Sequence, residues 1–347
     1  MERASNRIPS LDGIRTISIG LVLVAHFLHS IGISDNSLYL GTLGVRVFFV
    51  ISGFLITGLL LKEIEKDDKI NLKRFYFRRT LRIFPPYYFF LLVMLVLTLF
   101  GVFQIPLRSF LLAFGYAVDY FDPSNWDIGH TWSLSVEEQF YLLFPGILLI
   151  FGSGKTKTLL IFVVLLSPVI RLADYSMYGD TYWLGKGFHT NMDALAWGCL
   201  LSLFYTALHQ NVYYQRFIRS TLILVLPFLI FTANLLSDRP AVFAVACSLM
   251  NLSIAICIDW AVTNYDSLPG RLLNSGPMTF LGIMSYSIYL WQQPFFNGTL
   301  GFPMNLAGIA VMSLISYYLV EKPVLKLRQR LESRIFGASS KLKPATM

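Results

Sequence analysis

Charge is scarce in this 347-residue chain. Only 14% of its residues are Asp, Glu, Lys or Arg, where soluble globular proteins carry about 25%. A chain that is also 55% hydrophobic has too little polar surface to cover a soluble fold. Cysteine is scarcer still. Cys199, Cys247 and Cys257 sit inside apolar runs without C-x-x-C spacing, which argues against a disulfide framework and against a zinc site. Low-complexity tracts, an internal repeat and a soluble domain are missing as well. Disorder is excluded by 15% aromatic residues and a mean hydropathy of +0.59. A cleavable leader is not expected either. The first apolar stretch is long, has no small-x-small cleavage site, and carries Arg15 and His26.

What the chain does have is apolar runs long enough to cross a bilayer, for which about 20 residues suffice as a helix. They fall at 13–33, 43–61, 82–103, 132–151, 158–173, 189–207, 217–236, 241–260, 277–296 and 303–320. The expected fold is therefore an all-α integral-membrane bundle of about ten transmembrane helices. Segment 105–120 is apolar but short and carries Pro106, Arg108 and Asp119, so it reads as interfacial or re-entrant. With ten spans, 23 of the 28 Lys and Arg residues fall on the side of the termini and five on the other. The excess of basic charge marks the cytoplasmic side, which places both termini there. The net charge of +8 is thus read as membrane topology, not as a nucleic-acid surface. Residues 1–320 form the membrane domain, and 321–347 reads as a short basic helix followed by a frayed end.

Ionisable groups inside a membrane are costly, and each asks for an explanation. Arg15 and His26 are eleven residues apart in the first span. At about 100° per residue they share one helix face, separated by about 16 Å of rise. Arg15 then lies near the cytoplasmic surface, with His26 past the bilayer middle. A snorkelling arginine and a histidine satisfied by a neighbouring helix would explain the pair structurally. The functional reading is an anion-binding group aligned with a general base. His29, a turn further out, reads as a helper or interface residue. In KRFYFRRTLRIFPPYYFF, Arg79 and Arg82 share a face at i, i+3. They are either a positive-inside anchor or a pair of forks for phosphate, with Pro85-Pro86 breaking or kinking the helix start. In GHTWSLSVEEQFYLLFP, Glu137 and Glu138 lie one to two turns inside a span, preceded by His130 and Trp132. A carboxylate there could orient a histidine or an acceptor hydroxyl, or pair with an arginine. Asp193 opens the sixth span as either a helix cap or a site residue. Gly53 reads as a point of close helix packing.

LDGIRTISIGLVLVAHF, GVRVFFVISGFLIT, FYFRRTLRIFPPYY, HTWSLSVEEQFYLLFP, MDALAWGCLLS, SYSIYLWQQP and VEKP occur in that order over nearly the whole chain. Together they resemble the membrane acyltransferase-3 family, which includes bacterial O-acetyltransferases of O-antigens, exopolysaccharides and peptidoglycan. The resemblance implies an enzyme of a bacterial cytoplasmic membrane that transfers an acyl group, usually acetyl, from acyl-CoA to a hydroxyl. It implies two catalytic residues, His26 as general base or acyl acceptor and Glu138 to orient the imidazole or the acceptor. Arg15, Arg79 and Arg82 would bind the acyl-CoA. Glu137, His130, Trp132 and Asp193 are candidates for binding or orienting the acceptor. No metal is implied. The expected partners are membrane lipids, acyl-CoA and a hydroxylated acceptor, a saccharide in the first place. Many members read SYSLYLWH where this chain has Trp291-Gln292-Gln293-Pro294, which removes an imidazole; Gln292 can hydrogen-bond a substrate but cannot act as a base. Only about 27 residues follow the last span. An extracytoplasmic hydrolase-like domain is therefore not expected, which favours O-antigen, exopolysaccharide or lipid-linked sugar over peptidoglycan. The competing readings are acylation of a macrolide-like small molecule and a proton-coupled transporter or flippase.

Overall fold

A computed structural model describes residues 8–33, 39–122, 124–179, 182–236 and 240–336. Arg3, Arg7, Arg239, Lys341 and Lys343, which enter the charge count above, lie outside these residues, as does the expected frayed end. The described chain is helical: α1 (Leu11–Ser30), α2 (Leu40–Asp67), α3 (Leu72–Leu99), α4 (Leu107–Phe114), α5 (Trp126–Gly129), α6 (Trp132–Tyr178), α7 (Tyr182–Lys186), α8 (Phe188–Gln210), α9 (Val212–Arg219), α10 (Val225–Leu235), α11 (Pro240–Thr263), α12 (Leu268–Leu273), α13 (Gly276–Phe295), α14 (Met304–Ile315) and α15 (Lys322–Ile335). A π-helical segment, Ser316–Glu321, joins α14 to α15.

Among the described residues, six helices are long and apolar enough to cross a membrane, seven if the pair bent by 65° at residue 220 counts as one span. The ten-span expectation is thus met only in part. Helices α8 and α13 coincide with the expected spans 189–207 and 277–296 but do not reach the apolarity threshold. They carry buried polar side chains, including Asn191 and Asp193 on α8 and Ser285, Ser287, Gln292 and Gln293 on α13. Such residues lower mean hydropathy without exposing polar groups to lipid. The expected spans 132–151 and 158–173 fall within the 47-residue α6. A straight helix of that length would measure about 70 Å, more than twice the hydrocarbon core. It is broken at Gly152, whose φ of 66° and ψ of 172° suit glycine alone. The short α4 has eight residues, about 12 Å, and cannot cross by itself.

Two local expectations have clear outcomes. Pro85-Pro86 do not break the start of α3: the helix begins thirteen residues earlier, capped by Asn71 Oδ1 accepting from the Arg74 amide at 3.0 Å, and runs on to Leu99. Two residues before the first proline, the Ile83 carbonyl accepts from the Tyr286 hydroxyl of α13 at 3.1 Å. Gly53 does mark a close helix crossing. A Cβ there would lie 2.0 Å from the Leu195 carbonyl oxygen, and one on Gly198 would lie 2.0 Å from the Val50 oxygen. Helices α2 and α8 therefore meet backbone to backbone. Gly198→Ala should force them apart and destabilise the protein by about 1–3 kcal/mol. Thermal unfolding in detergent is expected to show a lowered midpoint, and an unchanged one would contradict this packing.

Candidate active site

Helices α1, α2, α3, α6 and α13 surround a cavity, with Glu321 of the π-helical segment completing its wall. Arg15 of α1 and Arg79 and Arg82 of α3 line it together with Glu137 and Glu138 of α6. The helix geometry behind this is simple. Because α3 has already begun at Leu72, Arg79 and Arg82 stand one turn apart on one face. Both acids also reach the cavity, so neither faces a lateral partner.

The three arginines are not used up by the protein. Among the described residues none of them has a carboxylate within ion-pair distance, although Glu137, Glu138 and Glu321 share the cavity. Nε of Arg15 and Nε of Arg79 are buried without a hydrogen-bond partner, as is Oε1 of Glu138. The Arg79 guanidinium lies 3.5 Å above the centre of the Tyr141 ring. The Tyr141 hydroxyl donates to Ser52 Oγ at 2.9 Å, and Ser52 Oγ donates to Glu137 Oε1 at 2.6 Å. Glu137 is thereby held in place while Glu138 is left with an open oxygen.

Other arginines of the chain show what full pairing looks like. Arg74 and Arg78 both donate to Glu332 of α15, Arg74 Nε at 2.9 Å and Arg78 Nε at 2.7 Å. Arg171 is enclosed by Asp193, the Thr190 and Ala244 carbonyls and Ser248 Oγ. Buried polar groups are normally satisfied. The Nε atoms of Arg15 and Arg79, which line the cavity, depart from this rule.

His26 does not line this cavity. The lining includes Ser133 and Tyr289 but not the imidazole. Its Nδ1 hydrogen-bonds Gln292 Oε1 at 2.5 Å. Gln292 follows Tyr289 by one turn of α13, and its Nε2 donates to the Tyr289 carbonyl at 3.5 Å. Trp126 of α5 meets His26 edge-on at 5.2 Å and stacks on His29 at 4.3 Å. Trp126 and Gln293 are tied reciprocally: Trp126 Nε1 donates to the Gln293 carbonyl at 3.1 Å and Gln293 Nε2 to the Trp126 carbonyl at 2.6 Å. His26 Nε2 makes no hydrogen bond among the described residues.

The remaining sequence candidates go elsewhere. His130 is buried behind Tyr289, its Nε2 donating to the Leu290 carbonyl at 3.1 Å and its ring between Phe90 and Tyr289. Trp132 packs edge-on against Phe49 in the core. Asp193 is not in the cavity: the Arg171 guanidinium and Ser248 Oγ engage both its oxygens, so its role is an internal ion pair, and its capping role is not seen. Glu138 is not the partner of the His26 imidazole; that place is taken by Gln292. Ser52, Tyr141, Tyr289 and Trp126 are not singled out in the sequence, because single hydroxyls and aromatics carry no local signal, and Glu321 enters only as part of the VEKP stretch. Outside the spanning segments, burial pushes the Asp119 carboxyl up to about 6. Two 3.0 Å contacts from Gln139 Nε2 partly offset this and hold the preceding loop against α6.

The fold and site define a polytopic helical membrane protein with a cavity lined by three arginines and three glutamates. Residues 8–319 match the acyltransferase domain family, and the chain belongs to it. It is 29% identical over 356 residues to an O-acetyltransferase, OatA, of Staphylococcus aureus, covering 92% of this chain and 57% of that protein. It is 29% identical over 358 residues to the peptidoglycan O-acetyltransferase OatA of Listeria monocytogenes, covering 92% of this chain and 56% of the relative. A putative O-acetyltransferase of S. aureus is 30% identical over 311 residues, covering 82% of this chain and 50% of that protein. The chain thus spans little more than half the length of these relatives. No solved structure matches it.

Proposed function

We propose that this chain is a membrane O-acetyltransferase that takes an acyl group, acetyl in the first place, from acyl-CoA and delivers it to a hydroxyl of a cell-surface saccharide. The observation that carries this reading is the set of arginines without an ion-pair partner among the described residues, Arg15, Arg79 and Arg82, in one cavity. In this reading the arginine end faces the cytoplasm of a bacterial inner membrane. The guanidinium forks of Arg79 and Arg82, with Arg15, hold the donor's phosphates. The pantetheine arm extends along the cavity toward His26, over a helical rise of about 16 Å. The His26 Nε2 takes the proton of the acceptor hydroxyl as its oxygen attacks the thioester carbon. In the two-step form, Nε2 itself attacks and the acyl-imidazole passes the group on. Glu138, with its open oxygen, orients the reacting groups from the cavity side.

The relatives' names support a saccharide acceptor, and the relative named for peptidoglycan makes that polymer the first to test, ahead of O-antigen, exopolysaccharide or a macrolide. The test is purified protein given acetyl-CoA labelled in the acetyl group, with soluble peptidoglycan fragments added. Label is expected on the saccharide. A folded sample that neither binds acetyl-CoA nor cleaves its thioester would overturn the reading in favour of transport.

A further inference from the structure

From the sequence, Gln292 reads as able to hydrogen-bond a substrate but not to act as a base. We propose that Gln292 is the positioning residue of the transfer centre: its side-chain oxygen holds the His26 Nδ1–H, so that Nε2 carries the lone pair that acts as base. The inference rests on the acyl-transfer reading above.

Both ends of the Gln292 amide are committed. Oε1 lies 2.5 Å from His26 Nδ1, and Nε2 points to the Tyr289 carbonyl at 3.5 Å. A carbonyl can only accept, so the amide nitrogen takes the Tyr289 side and the oxygen is turned to the imidazole. An oxygen without a proton can only accept in turn, and Nδ1 must be the protonated nitrogen. A neutral imidazole has one N–H, which leaves Nε2 as the free acceptor. Gln292 is fully buried, so water does not compete for this bond. The next residue completes the arrangement. Gln293 clamps Trp126 through two hydrogen bonds, and Trp126 contacts the imidazole edge. Adjacent amides on α13 thus fix the ring's tautomer and its lateral position separately.

The consequence for the reaction can be written out. The acceptor O–H proton moves to Nε2, the new C–O bond forms at the thioester carbon, the C–S bond breaks, and the thiolate leaves with the proton from Nε2. Nδ1 keeps its proton throughout. If the proton sat on Nε2 instead, the imidazole could not take up the acceptor's proton from the reacting side.

The test uses membrane vesicles that carry the full chain and its native acceptor, titrated with labelled acetyl-CoA. Three variants are compared: Gln292→Met, which keeps the volume but removes the accepting oxygen; Gln292→Glu, which retains one; and His26→Ala. Gln292→Met is expected to lower kcat by at least about tenfold at an unchanged donor KM; loss of the productive tautomer in a serine hydrolase costs up to about 10⁴-fold. Gln292→Glu is expected to recover most of the wild-type kcat. Wild-type kcat in Gln292→Met would overturn the inference. So would equal impairment of Gln292→Met and Gln292→Glu with a raised donor KM, since that pattern marks a purely structural role. Retained transfer by His26→Ala sinks the acyl-transfer reading itself and is read from a separate variant, so the two failures are distinguishable.

Discussion

Replacing His26 by alanine is expected to abolish acyl transfer, with a loss of about 10²–10⁴-fold if its part is general-base catalysis and a larger one if it carries the acyl group. His29 stacks on Trp126, and His130 is buried and does not line the cavity. The substitution leaves Gln292 Oε1 buried without its donor, which costs about 1–3 kcal/mol. His26→Gln is the companion variant, since its amide can still donate to that oxygen while offering no base. Acetylation measured in membranes should disappear in both. Normal acetylation by either variant at wild-type protein levels would sink the mechanism.

The second large effect concerns the donor. Changing both Arg79 and Arg82 to alanine should raise the KM for acetyl-CoA by about 10–100-fold for each charge-assisted hydrogen bond to phosphate that is removed, with a smaller change in kcat at saturating donor. Removal of Arg171 provides the contrast. Its guanidinium is enclosed by Asp193 and three other partners, so its substitution strands a buried carboxylate at a cost of about 3–5 kcal/mol. Arg79 and Arg82 have no such partner, and their removal should leave stability close to wild type. Donor titrations together with thermal unfolding separate the cases. Impaired activity at saturating donor with unchanged donor affinity would contradict the docking role, and severe destabilisation would mark the pair as structural.

The positions of most helices are legible in the sequence because a bilayer imposes a length. Apolar runs of about 20 residues are needed whatever the tertiary fold, and the helices α1, α2, α3 and α11 fall where those runs lie. Apolarity alone does not recover α8 and α13, since their polar residues face other helices and lower the hydropathy of well-enclosed elements. The cationic side of the cavity is also legible. Arg79 and Arg82 share a face by helical spacing, and so do Arg15 and His26, because 3.6 residues per turn is a local property.

Partners that lie far apart in sequence have no such signal. Glu138, an acid inside a span, is the natural sequence candidate to orient His26, yet the hydrogen bond goes to Gln292, 266 residues away. Asp193 reads as a helix cap or a site residue and instead pairs with Arg171. Hydropathy and helical period thus determined that this is a membrane bundle and which face each charged residue takes, since both follow from the chain's own backbone geometry. The tertiary packing alone decided which arginines remain unpaired and which group holds the imidazole. Those outcomes depend on which faces meet, down to glycine contacts such as Gly53 on Leu195 and Gly198 on Val50, and no local pattern encodes that meeting.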